Sequence, residues 1–152
     1  MSMTARETKA LQYFAAGDNC AQSVLKAYCN VVGLTEKQAA LVAVGFGGGI
    51  GRLRQNCGAF SAAVMLCGAI YGEDGAEAVN RTQVYAKVQE VHRRFIEEMG
   101  TICCGELLGR SAEAPTPEKR TPDYYASRPC AKVILQACRI IEEQLAAKEE
   151  SV

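Results

Sequence analysis

Apolar residues recur at intervals of three and four along nearly the whole chain, and no stretch alternates strictly between apolar and polar. That spacing belongs to helices with one buried stripe, because helical side chains advance by about 100° and strand side chains by about 180°. The expected fold is therefore all-α. A chain of 152 residues has enough material for one core and too little for two. Residues 1–147 are expected to form a single-domain bundle of about six helices, followed by a frayed tail at 148–152.

Caps and stops divide the chain. Helix one is expected over Thr4–Ala16, ended by Gly17, and a second helix capped by Asp18 runs to Val32. Thr35-Glu-Lys-Gln38 is a capping box for a third helix that ends at the glycines from Gly45. Asn56 is the expected cap of a fourth helix, Cys57–Tyr71, and a long fifth helix covers Gly75–Met99. A short helical turn follows at Cys104–Leu108, and the last helix starts at Pro129 and ends near Ala147. Gly109–Arg128 contains Pro115, Pro117 and Pro122 and reads as a long loop, either a solvated surface segment or a lid, tethered by Tyr124 and Tyr125.

The charges balance at 17 basic against 17 acidic residues, which removes the electrostatic reason to expect nucleic acid or an anionic membrane as partner. The longest apolar runs fall well short of the roughly 20 residues that span a bilayer. Met1–Ala10 carries charges and no apolar core of a secretory signal. The cytoplasm, a reducing compartment, is the expected location. Eight cysteines then point to redox chemistry, metal ligation or plain buried thiols rather than to a disulfide scaffold.

Helical phase sorts those cysteines. Cys130 opens a stripe with Val133, Ile134, Ala137, Ile141 and Leu145. Cys20 opens one with Val24, Ala27 and Tyr28, Cys57 one with Phe60 and Val64, and Cys104 one with Leu107 and Leu108. Each of the four thus sits near the start of its own helix, facing inward. Unpaired N–H groups and the helix dipole favour a thiolate there, and the thiolate is both nucleophile and metal ligand. The four are expected to meet at one locus, either as exchanging thiols or as ligands of an iron–sulfur centre or another soft metal. Structural zinc fits less well, because it draws on paired cysteine knuckles that are absent. Cys29, Cys67 and Cys138 fall among apolar neighbours and read as core, while Cys103 beside Cys104 is either an alternative or a resolving thiol. His92 lies on the face of Val88, Phe95 and Met99 and reads as a core histidine.

Gly45-Phe-Gly-Gly-Gly-Ile-Gly51 follows a helix and lacks the register of a nucleotide loop. It reads instead as a turn whose backbone, at Gly47, Gly48 and Gly49, approaches a bound group or the thiol site. Arg52 and Arg54 follow it, either solvated or placed to lower the pKa of Cys57.

Taken in order, Cys20, Gly47-Gly-Gly49, Cys57-Gly-Ala-Phe-Ser-Ala62, Cys104-Gly-Glu-Leu-Leu-Gly109 and Cys130 resemble the redox-active proteins named for a C…CGAxxG…C…C pattern. The resemblance spans about Asn19 to Ala137, with Ala62 in place of the pattern's last glycine. It implies four functional cysteines, Cys20, Cys57, Cys104 and Cys130, the same four that helical phase selects. The expected function is thiol–disulfide or electron-transfer chemistry, with a redox protein or a small thiol or disulfide as partner. The rival is a non-catalytic module that binds a soft metal or a redox or transport partner. The two-sided apolar second helix is consistent with a homodimer.

Overall fold

The computed structural model describes residues 2–72 and 78–150. Three reciprocal caps set the first half of the chain. Before α1 (Ala5–Ala15), the Thr4 hydroxyl accepts the Glu7 N–H at 3.1 Å and the Glu7 carboxylate accepts the Thr4 N–H at 2.8 Å. Asn19 and Gln22 do the same for α2 (Cys20–Ala27), which breaks at Tyr28 before a single turn, α3 (Cys29–Val32). Thr35 and Gln38 cap α4 (Glu36–Ala43). Each such cap contributes about 1 kcal/mol. After a 3₁₀ turn come a tight turn, α5 (Gly47–Ile50), and the core helix α6 (Gly58–Tyr71). Then follow α7 (Ala78–Met99), α8 (Cys104–Leu108), α9 (Pro122–Ser127) and α10 (Cys130–Glu150). The described residues contain no strand, and six of their helices have eight residues or more, so the all-α bundle is as expected.

The core forms around α6, which packs against α2, α7 and α10. Ala59, Ala62 and Ala63 are fully buried there, and side chains this small let the neighbouring helices come close. Leu66, Cys67, Phe95, Ile134, Ala137, Cys138 and Ile141 fill the space between. Buried polar groups are paired: the Tyr28 hydroxyl donates to the Glu142 carboxylate at 2.8 Å, and that of Tyr71 to Gln144 Oε1 at 2.6 Å. No described helix is long and apolar enough to cross a membrane.

Several boundaries differ from the sequence reading. The cap of α2 is Asn19 rather than Asp18, since the Asn19 amide also donates to the Val44 carbonyl at 3.0 Å. Asp18 forms an ion pair with Lys26 at 2.6 Å instead. Asn56 does not cap α6; Cys57 itself occupies the cap position, and Asn56 pairs with Cys103 in an isolated antiparallel bridge. Residues 75–77 of the expected fifth helix lie outside the described residues, and α10 continues to Glu150, past the expected end. The Gly109–Arg128 segment is not all loop, because Thr121 caps α9 within it and Pro122 takes the first helical position.

That segment is pinned where expected. The Tyr125 hydroxyl lies 3.3 Å and 3.2 Å from the carbonyls of Phe14 and Ala15. The Tyr124 and Tyr125 rings pack on Phe14 with centroids 6.5 Å and 5.3 Å away. Replacing Tyr125 by Ala removes both of its hydrogen bonds to α1. Limited proteolysis should then cut residues 110–121 several-fold faster than in the wild type, while helical circular dichroism stays unchanged.

Candidate functional site

Two short backbone pairings build the site. The segment before α6 runs antiparallel to the segment before α8: Cys57 N–H donates to the Ile102 carbonyl and Cys104 N–H to the Gln55 carbonyl, each at 2.6 Å. Gly105 N–H adds a bond to the Arg54 carbonyl at 3.1 Å. Cys57 and Cys104, 47 positions apart in the sequence, are thereby held at the starts of adjacent helices. The second approach is between α2 and α6. A methyl at Gly58 would stand 2.7 Å from Cys20 Sγ and 2.7 Å from the Phe46 carbonyl oxygen, so only glycine allows the two helix starts this close.

The glycine-rich turn completes the frame. Gly48, Gly49, Ile50, Gly51 and Arg52 all have positive φ, between 58° and 69°, a left-handed turn that costs a non-glycine residue about 1–2 kcal/mol. It lets Arg54 N–H reach the Gly48 carbonyl at 3.2 Å and Gln55 N–H the Gly49 carbonyl at 2.9 Å. A methyl at Gly47 would overlap the Asn19 side chain, and one at Gly49 would stand 2.5 Å from Cys104 Cβ. The backbone here does come against the thiol site, as the sequence suggested. Its neighbours are Asn19 and Cys104.

Cys20, Cys104 and Cys130 line one cavity of about 490 Å³. Cys57 lies beneath Cys20, and their thiols interact directly. Pro115, Pro117, Glu118, Arg120 and Tyr124 of the pinned segment form one wall, and Arg52, Arg54 and Arg128 also border the space. All eight cysteines are free.

The four thiols differ sharply in acidity. Cys20 is lowered to about 7, first by its interaction with the Cys57 thiol and then, against the cost of burial, by backbone N–H groups of Ala59, Ala21 and Gly58. Its sulfur therefore faces the starts of two helices, its own and α6. Cys57 is raised well above the ordinary thiol value, because Cys20 takes the charge of the pair and burial penalises a second one. Cys130 is pushed up to about 11 by burial and by the nearby Cys20 and Cys104. Burial also raises Cys104, although Arg54 Nη1 approaches its sulfur at 3.6 Å. A position at a helix start thus lowers one thiol of the four; for the other three, desolvation outweighs the dipole or the partner takes the charge.

For Arg54 the sequence left two readings open, a solvated side chain or a partner of Cys57, and the structure shows neither. It acts on Cys104 rather than Cys57, and its side chain is only 3% exposed. Its guanidinium also bonds Glu113 at 2.8 Å and 3.2 Å. Arg52 pairs with the same carboxylate at 2.8 Å and donates to the Ala114 carbonyl at 2.8 Å. Neither arginine is simply solvated. Nothing in the one-dimensional pattern joins Arg54 to Glu113; only the positive φ of Arg54, at 58°, turns it inward.

The remaining assignments divide. Cys67 and Cys138 are fully buried, as expected, and burial pushes them up to about 11 and about 12. Cys29 is half-buried against the core. Cys103 turns away from the cavity, its thiol donating to the Arg54 carbonyl at 3.4 Å. His92 is not a core residue: it is exposed and meets the Phe60 ring edge-on, with centroids 5.8 Å apart.

Among the described residues, no group of three or more Cys, His, Asp or Glu side chains lies close enough together to hold a metal ion. The observed donors fit a pair of interacting thiols with two further thiols beside it.

Crowding and backbone strain separate at the glycines. Gly49→Ala brings a methyl against Cys104 at a φ of 69° and should cost more than about 2 kcal/mol in denaturant unfolding. Gly51→Ala, at a φ of 58° with no heavy atom within 4 Å, should cost only about 1 kcal/mol. Equal losses would mean that Gly49 is not fitted to Cys104.

No curated protein and no solved structure matches the chain. A family model does, over residues 18–144, under the description Putative redox-active protein (C_GCAxxG_C_C). The match covers most of the chain, including Cys20, Cys57, Cys104 and Cys130, and the chain belongs to this family of redox-active proteins.

Proposed function

We propose that this protein carries out thiol–disulfide exchange, with Cys20 as the attacking sulfur and Cys57 as the resolving one. The observation that supports this most is the contrast between the two: a half-buried thiol with a pKa of about 7, backed by a buried thiol that keeps its proton. An attacking thiol works best when its pKa is near the ambient pH, where both thiolate fraction and nucleophilicity are substantial.

The steps balance as follows. The Cys20 thiolate attacks one sulfur of a substrate disulfide, forming a mixed disulfide and releasing a thiolate. Cys57 then attacks Cys20 Sγ, breaking the mixed bond and releasing the second thiolate; its proton goes to a leaving group. Two electrons pass from the Cys20–Cys57 pair to the substrate, which leaves as two thiols. Cys104 and Cys130 stay protonated in the cavity wall during these steps.

Reaction of the fully reduced protein with bis(2-hydroxyethyl) disulfide, followed by acid trapping and peptide mapping, tests this. The first intramolecular disulfide should join Cys20 to Cys57, and Cys57→Ala should accumulate a mixed disulfide on Cys20. First reaction at Cys104 or Cys130 would overturn the assignment. Stoichiometric iron and acid-labile sulfide in anaerobically purified protein, released together with reactivity of all four thiols, would instead support the cluster or metal-binding reading.

A further inference from the structure

The cavity beside Cys20 is strongly biased in charge. Arg52, Arg54, Arg120 and Arg128 border it, against one glutamate, Glu118. Most of these cations are partly neutralised. Arg52 and Arg54 share Glu113, and Arg128 pairs with Glu118 at 2.7 Å. Arg110 reaches Glu118 and Glu113 as well, so these two carboxylates serve four arginines.

Arg120 differs from the rest. It has no carboxylate within ion-pair distance among the described residues. Its guanidinium stacks on the rings of Phe14 and Tyr124, 5.2 Å and 4.6 Å from their centroids, and donates to the Asp18 carbonyl at 3.1 Å. It is thus held in place over the cavity with its charge unspent.

Beside the polar Asn19 and Gln22, apolar surface is supplied by Phe14, Val44, Leu108, Pro115, Pro117 and Tyr124. A bare oxyanion would leave those surfaces bare, whereas methylene groups would cover them. The volume of about 490 Å³ lies within the usual range for small organic ligands, roughly 300–1,000 Å³.

We infer that this cavity binds a small organic disulfide bearing carboxylates, with a carboxylate at Arg120 and the reacting sulfur against Cys20. The inference rests on the assignment of Cys20 as the attacking thiol. It specifies the substrate class for that step and leaves the electron balance as given above. Charge makes the expectation sharp. A thiolate in water is repelled by an anionic disulfide and attracted by a cationic one, so a preference for the anion has to come from the protein.

The test uses three symmetric disulfides of similar size with the full-length reduced protein at low salt. These are dithiodipropionate with two carboxylates, neutral bis(2-hydroxyethyl) disulfide, and dicationic cystamine. The second-order rate of Cys20–Cys57 disulfide formation should be at least about tenfold higher for dithiodipropionate than for the neutral compound, with cystamine slowest. Added salt should shrink that ratio. Arg120→Gln should abolish most of it, and Arg120→Lys should restore part. Equal rates for the anionic and neutral disulfides, or a faster cystamine reaction, would overturn the inference while leaving Cys20 as the nucleophile. Failure of the neutral disulfide to form the Cys20–Cys57 bond would overturn the nucleophile assignment itself.

Discussion

The close approach of α2 and α6 at Gly58 is the contact on which the rest of the site depends. With no side chain at Gly58, Cys20 Sγ sits against the first turn of α6 and receives N–H groups from two helices. The same approach sets Cys57, the cap residue of α6, beneath Cys20. Two thiols this close and this desolvated cannot both ionise at neutral pH, so one proton is shared between them. The Cys57 thiol and the backbone N–H groups of Ala59, Ala21 and Gly58 favour the charge on Cys20.

A second constraint holds this arrangement from the side. The left-handed turn at Gly48–Arg52 places Ile50, Arg52 and Arg54 at positive φ, each at a cost of about 1–2 kcal/mol. That strain is offset by what it turns inward: Arg54 meets Cys104 and Glu113 at once, and Arg52 holds the backbone of the cavity wall at Ala114. Glu113 accordingly joins the glycine turn, one cavity cysteine and the proline-containing segment. Backbone strain retained at such a junction is the pattern seen where a site must be held in a fixed shape.

Much of the fold was legible because its signals are local. The capping box at Thr35, the three-and-four spacing and the inward phase of Cys20, Cys57, Cys104 and Cys130 need only a few residues each. What was not legible depends on contacts between distant segments. The pairing of residues 54–57 with 102–105 carries no periodic signal, and it displaced Asn56 from its expected role as a cap. Three non-glycine residues at positive φ cannot be read from composition, so the contacts of Arg54 with Cys104 and Glu113 were not foreseen. His92 has the right phase for the core, yet it lies at the edge of the α6–α7 contact, where Phe60 covers one side of its ring. The acidity of the thiols was misjudged for a related reason: the helix dipole can be counted from sequence, whereas desolvation requires the packed structure.

The central claim is that one proton is shared by the Cys20–Cys57 pair, leaving a single acidic thiol in the reduced protein. Ultraviolet thiolate absorbance, followed as a function of pH in wild type, Cys20→Ala and Cys57→Ala, measures it directly. The account predicts one thiolate forming with a midpoint of about 7 in the wild type. That step should disappear in Cys20→Ala and move upward in Cys57→Ala, where the largest stabilising interaction is gone. A wild-type titration with no thiol ionising below the ordinary range near 8.5, or one unchanged in Cys20→Ala, would contradict it.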